Sequence, residues 1–108
     1  MTDNFRIRRA EGKWVVRAAG AVIGETAAAL ELTEGDRPPV ICFPREDVAM
    51  AFLERTEGGG EEPARYAIIA KSGPIADAAR SWEKPRPGYE RIERRIAFDP
   101  RKATVERV

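Results

Sequence analysis

The sequence predicts a mainly β fold with small helical pieces, in one domain. Short runs rich in β-branched and aromatic residues recur along the chain, and turn residues separate them every ten positions or so. The length of 108 residues allows one hydrophobic core and lies near the small end for it.

The elements follow in order. Up to residue 11 charge dominates and Phe5 and Ile7 are the large apolar groups, so residues 1–13 read as a loosely held arm ahead of a domain over 14–108. Trp14–Arg17 and Ala21–Ile23 are two short β-rich runs set off by Gly20 and Gly24. Leu30-Glu31-Leu32 alternates as a half-buried strand does, and Glu34-Gly35-Asp36-Arg37-Pro38-Pro39 is turn chemistry for a hairpin-like connection. Val40–Phe43 is a continuous apolar run between two prolines, the pattern of a strand covered on both faces. Pro44 followed by Glu46 and Asp47 suits a helix start, because acids complement the N-terminal dipole. One helical turn is expected there, then a strand over Met50–Arg55 before Gly58-Gly59-Gly60. Tyr66–Ala70 is another two-sided strand, and Ala76–Ser81 is expected to form a helical turn. Tyr89, Ile92 and Ile96 share one helical face, with Glu90 and Arg94 as an i,i+4 pair. Ile96–Phe98 and Ala103–Glu106 read as closing strands around Asp99-Pro100-Arg101-Lys102.

Composition excludes much chemistry. Histidine is absent, which removes Ser-His-Asp and Cys-His nucleophile pairs and zinc sites built on imidazole. The single cysteine, Cys42, forms no internal disulfide, has no histidine to activate it, and reads as a buried inert thiol. No metal and no cofactor are expected. No apolar run approaches a membrane span, the N-terminus lacks an apolar signal core, and a cytoplasmic location is expected. The net charge of +1 supplies no general attraction to nucleic acid. Charge is nevertheless uneven. Residues 80–108 hold nine basic and five acidic side chains, and residues 45–62 hold two basic and six acidic ones, a distribution compatible with two faces of opposite sign or with interspersed solvated charge.

The glycines at 20 and 24 do not make a dinucleotide fingerprint. Gly58-Gly59-Gly60 is followed by Glu61-Glu62, which would repel phosphate, so a flexible connector is the better reading. "RSWEKPRPGYE" interleaves Trp82 and Tyr89 with Arg80, Lys84, Arg86 and Arg91, an arrangement that can grip an anion. Core packing explains the same aromatics. Arg45-Glu46-Asp47 supplies either a guanidinium fork with an acid pair or a plain helix start.

The blocks "GAVIGETAAALEL", "CFPREDVAMAFLERT", "ARYAII", "AARSWEKP" and "ERRIAFDPRKATVE" resemble, in order and rough spacing, the family catalogued as domain of unknown function 427. Its most specific block, F-P-x-E-D-V, is matched by Phe43, Pro44, Glu46, Asp47 and Val48. The resemblance covers residues 14–108 and implies a β-tent fold: two antiparallel sheets pitched together, with a cleft between them. The chain departs from the family's pattern at two places. "GGGEEP" replaces a Cys-Pro-x-Lys-Gly stretch, and Arg80 and Trp82 stand where the pattern carries Trp and Tyr. The matched block reads as structural, with Phe43 and Val48 in the core and Glu46 and Asp47 capping backbone donors.

The leading expectation is a domain that binds a flat or anionic small molecule in a cleft between the sheets. Arg45, Tyr66, Arg80 and Trp82 are the candidate lining. The alternative is a protein-interaction module using opposed charged faces, with association of like copies left open. An enzyme using Glu46 or Asp47 as base, with Arg45 or Tyr66 as electrophile, ranks last.

Overall fold

Ten strands build two antiparallel sheets in the computed structural model, which describes residues 4–108. The strands are β1 Phe5–Arg9, β2 Trp14–Ala18, β3 Ala21–Thr26, β4 Leu30–Glu34, β5 Val40–Phe43, β6 Leu53–Glu57, β7 Ala64–Ala70, β8 Gly73–Ser81, β9 Ile96–Phe98 and β10 Thr104–Arg107. Short 3-10 turns occupy Arg45–Asp47, Met50–Phe52 and Glu90–Ile92. Seven strands run in the order β1-β4-β5-β9-β8-β7-β6, and three in the order β10-β2-β3.

Tight turns fix the hairpin registers. Ala18 pairs with Ala21 across Ala19-Gly20, both with positive φ, as the twist of a two-residue hairpin requires. Ala70 pairs with Gly73 across Lys71-Ser72. The smaller sheet is joined to the larger through a Gly24–Val48 bridge and the Ala49 amide, which donates to the Ile23 carbonyl at 2.8 Å.

Alternation along the strands gives the seven-stranded sheet two apolar faces. Phe43, Tyr66, Ile68, Ile96 and Phe98 pack with Val16, Ile23 and Ala18 of the smaller sheet. The other face carries Leu30, Leu32, Cys42 and Ala97 under Trp82, Tyr89 and Ile92 of the 82–95 segment. Val40–Phe43 sits between β4 and β9 and is covered on both sides, as expected.

Three expectations are corrected. Residues 5–9 are not a loose arm but edge strand β1, paired with β4 from Phe5↔Glu34 to Arg9↔Leu30. Phe5 lies 4.5 Å from the Tyr89 ring and covers Gly88, so its burial against the second cluster supplies the energy that charge counting misses. Ala76–Ser81 is not a helical turn but belongs to β8, the longest strand; pairing with β7 and β9 overrides alanine's helical preference. The Tyr89–Ile96 helical face is also absent. Gly88 and Arg94 adopt positive φ, only Glu90–Ile92 turns, and Ile96 enters β9. The proline- and glycine-rich lead-in instead lets the segment lie flat on the sheet.

β1 is an open edge, and the Arg91 guanidinium blunts it by donating to the Ile7 carbonyl at 2.8 Å. Phe5→Ala should lower unfolding free energy by about 2 kcal/mol in urea titration, a partial version of the loss at a full aromatic core site. A change of only a few tenths would return residues 5–9 to the status of a loose arm.

Candidate functional site

Strand alternation at the end of β8 sends successive side chains to opposite faces. Arg80 and Trp82 take one face, and Ser81 and the following Glu83 the other. On the second side Glu83 gathers a polar knot. Tyr66 Oη donates to Glu83 Oε2 at 2.5 Å, Arg45 Nη2 reaches the same oxygen at 3.3 Å, and Arg55 Nη2 lies 3.1 Å from Oε1. Arg45 also donates to the buried Ser81 Oγ at 2.8 Å and to the Arg94 carbonyl at 2.9 Å. Burial alone would raise the Glu83 pKa, but the bonds from Tyr66 and Arg45 and the two guanidinium charges outweigh it and hold the carboxyl below its ordinary value. The Tyr66 hydroxyl is pushed up by burial and by its bond to Glu83.

The glycine run closes this knot. Gly59 is buried at φ 105°, against Arg55 and Glu83, and the Gly58 carbonyl accepts from Arg55 at 2.9 Å. The expected flexible connector is therefore a packed loop, since a side chain at 59 would displace the ion pair.

On the first side the Arg80 guanidinium stacks 4.9 Å from the Trp82 ring centroid, and Trp82 is 6% exposed within the second cluster. Arg80 Nη2 donates to Glu34 Oε1 at 3.0 Å, while Tyr89 Oη donates to Glu34 Oε2 at 2.7 Å. Burial again opposes ionisation of Glu34. The Tyr89 bond and the Arg80 charge overcome it, with a smaller contribution from Arg37, so its pKa is lowered.

Beside this pair opens a cleft of about 580 Å³. Leu32, Val40, Ala79, Ala97 and Phe98 give it an apolar floor; Glu34, Arg37, Arg65, Asp77, Arg80, Asp99 and Arg101 ring it with charge. Pro38 and Pro100 complete the lining. No residue of the three-stranded sheet lines it, so it does not lie between the sheets, where the apolar cluster fills the space. A smaller cavity of about 220 Å³, bordered by Glu57 and Glu62, shares Arg65 and Arg80 with it.

The four residues expected to converge therefore divide. Arg80 lines the cleft, Arg45 and Tyr66 belong to the Glu83 knot, and Trp82 is core that supports Arg80 from behind. Of the F-P-x-E-D-V block, Phe43, Pro44 and Val48 are buried. Glu46 and Asp47 do not cap: the turn Arg45–Asp47 has no side-chain cap bond, and Asp47 Oδ2 instead accepts from Thr26 Oγ1 at 2.8 Å. Thr26 Oγ1 in turn accepts from the Ala28 amide at 2.9 Å, so the acid secures the β3–β4 corner.

Sequence reasoning missed Glu34, Arg37 and Asp77 as lining. The first two sat inside a segment read only as turn chemistry. Asp77 lies on a bulge that no local pattern announces: one residue of β7 faces three of β8 between Tyr66↔Ala79 and Ile68↔Ile75. Among the described residues, no group of three or more carboxylates or thiols could hold a metal ion. Burial pushes the Cys42 thiol up to about 12, which keeps it protonated. No helix among the described residues is long and apolar enough to cross a membrane.

A family model matches residues 6–108, from β1 through the last strand. The chain belongs to the family described as domain of unknown function 427 (DUF427). The match extends further toward the N-terminus than the resemblance over 14–108, consistent with β1 being part of the sheet. No curated protein matches this DUF427 chain.

The two held carboxylates, one on each face, predict a pH dependence. Glu34 and Glu83 have lowered folded-state pKa values, so their stabilisation is fully present above the unfolded value near 4.5 and is lost as pH falls through the folded values. Thermal melts should therefore decline below about pH 4.5, and the double variant Glu34→Gln, Glu83→Gln should show a shallower decline. Glu83→Ala should cost about 2 kcal/mol at pH 7, because Tyr66 and two guanidiniums lose their acceptor.

Proposed function

We propose that this DUF427 domain binds a small anion with a flat apolar body in the cleft on the seven-stranded sheet. The observation that carries the reading is Arg37. Three of the four guanidiniums around the floor have a carboxylate partner: Arg80 with Glu34 at 3.0 Å, Arg101 with Asp99 at 2.9 Å, and Arg65 with Glu57 at 3.5 Å. Arg37 has no ion pair within 4 Å among the described residues, and its charge is felt at Glu34. An anion entering there meets a net positive rim over an apolar floor.

The shape supports the same class of ligand. A cleft of this volume lies within the range of small-molecule sites, roughly 300–1,000 Å³. The lining includes two small residues, Ala79 of β8 and Ala97 of β9, which leave room for a recess there. A planar body would lie against that recess, and its edge would meet Arg80, whose guanidinium is already fixed by Trp82 and Glu34.

The alternative, an interaction module with opposed charged faces, is weakened by how the cations between 80 and 108 are used. Arg80 and Arg101 pair with Glu34 and Asp99, Arg91 bonds the Ile7 carbonyl, and Arg95 bonds the carbonyls of Ala28 and Cys42. Much of the basic excess therefore serves the fold itself.

The test is a thermal-shift comparison of 2-naphthoate, cyclohexanecarboxylate and neutral 2-naphthalenemethanol. At ten times its Kd, 2-naphthoate should add about 1.4 kcal/mol, or ~6 °C, and the other two clearly less. Arg37→Ala should raise the Kd for 2-naphthoate about tenfold without changing the melting point of the unliganded domain. A shift that is the same for all three compounds, or indifferent to Arg37→Ala, would overturn the reading.

A further inference from the structure

We infer that the cleft takes a zwitterion: its occupant carries a cationic group for Asp77 as well as the anion that Arg37 receives. This deepens the anion-binding reading and rests on it.

The argument begins with which charges of the lining are already committed. Glu34 accepts bonds from Arg80 and Tyr89, and Asp99 holds Arg101 through both carboxylate oxygens and the Arg101 amide. The four charged side chains, Glu34, Arg80, Asp99 and Arg101, are wall. Arg37 and Asp77 differ from them, since neither side chain forms a hydrogen bond among the described residues. Asp77 has only the long 3.8 Å approach of Arg65, which also lies 3.5 Å from Glu57. Arg65 itself forms no side-chain hydrogen bond among the described residues but has the nearer Glu57 as partner, so the two lining charges with the fewest partners, Arg37 and Asp77, have opposite signs.

Their positions are built by the backbone. Arg37 stands on the β4–β5 connection, after the Gly35 turn, where its amide bonds the Glu34 carbonyl at 3.0 Å. Asp77 stands at the centre of the β8 bulge with φ 51°, a left-handed conformation that non-glycine residues rarely hold inside a strand. The bulge is kept in place from outside the strand. The Asp99 amide donates to the Ala78 carbonyl at 2.8 Å, and Lys102 Nζ donates to the Ala76 carbonyl at 2.7 Å. A pairing fault this well supported turns Asp77 out of the ladder and into the cleft lining, and the Asp77 side chain itself repays none of it with a hydrogen bond.

Between the two charges lie the floor positions on β5, β9 and β8. From β5 to β8 is two interstrand spacings, about 10 Å in the sheet plane. A rigid apolar body with an amine at one end and a carboxylate at the other spans that interval once the two protein side chains reach inward. An anion lacking the amine fills the Arg37 end and leaves Asp77 facing the apolar body.

Three rigid benzoates or amines test this: 4-(aminomethyl)benzoate, 4-methylbenzoate and 4-methylbenzylamine, titrated at pH 7 with amide chemical shifts read at residues 37 and 77. The zwitterion should bind about fivefold more tightly than 4-methylbenzoate, the value of one partly exposed charge pair. Asp77→Asn should remove that advantage while binding 4-methylbenzoate at least as well as before, because asparagine also tolerates the left-handed conformation and the bulge persists. Arg37→Gln should weaken both benzoates. If the two benzoates bind equally and both depend on Arg37, the zwitterion inference falls and the anion reading stands. If neither benzoate perturbs the cleft, both fall.

Discussion

Glu83 accepts from a tyrosine hydroxyl and faces two guanidiniums in a largely enclosed position, and the arrangement of the larger sheet follows from how that carboxylate is satisfied. A buried carboxylate with one partner would destabilise the fold, because its desolvation exceeds a single attraction. Here Arg55 comes from β6, Tyr66 from β7 and Arg45 from the turn after β5, so one acid just past β8 ties three earlier parts of the chain, and Arg45 adds Ser81 of β8. Arg45 extends the tie to the Arg94 carbonyl, just before β9. Because side chains alternate along a strand, fixing Ser81 and Glu83 on one face fixes Arg80 and Trp82 on the other. The geometry of the cleft wall is therefore set from the far side of the sheet.

Most strands were legible because their signals are local. The β2–β3 hairpin, β4, β5, β7 and β9 each announce themselves by β-branched runs and by flanking glycine or proline. β1 and β8 were not legible for opposite reasons. β1 has only Phe5 and Ile7 to bury, and their partners in the second cluster are spread along the chain from Leu30 to Ala97, with the Tyr89 ring that meets Phe5 more than eighty residues away. β8 is rich in alanine, whose local preference is helical, and becomes a strand because both its neighbours demand pairing. The site was legible in its chemistry but not in its assembly. Arg80 was found through its departure from the family pattern, yet Arg45 and Tyr66 resemble ligand-binding residues only until Glu83 is placed between them. The packing of Trp82 behind Arg80, and the turning out of Asp77 by the bulge, depend on cross-strand register, which single-chain patterns do not encode.

The arginines show how little a charge count says about surface. Nine basic residues crowd the last twenty-nine positions, but the fold uses Arg91 and Arg95 to satisfy backbone carbonyls and Arg80 and Arg101 to hold acids. A guanidinium is suited to this work because its five donors reach several acceptors at once without losing charge. Arg91 also blocks the open edge of β1, a position where an unguarded strand invites pairing with another chain.

What distinguishes the cleft from the knot is the state of its charges. In the knot Glu83, Tyr66, Arg45 and Arg55 all have protein partners, and no buried side-chain nitrogen or oxygen among the described residues lacks one. The knot can therefore accept a ligand only by breaking something, at the cost of an unpaired charge. The cleft also has arginines and acids at its rim, yet among the described residues Arg37 has no ion pair and Asp77 only the long approach of Arg65. A ligand meeting those two groups displaces water, not protein partners, while the committed pairs Arg80–Glu34 and Arg101–Asp99 keep the wall rigid and limit the entropy lost on binding. Under the proposed reading, the division between satisfied and unsatisfied charge separates the part of this DUF427 domain that holds its shape from the part that can recognise another molecule.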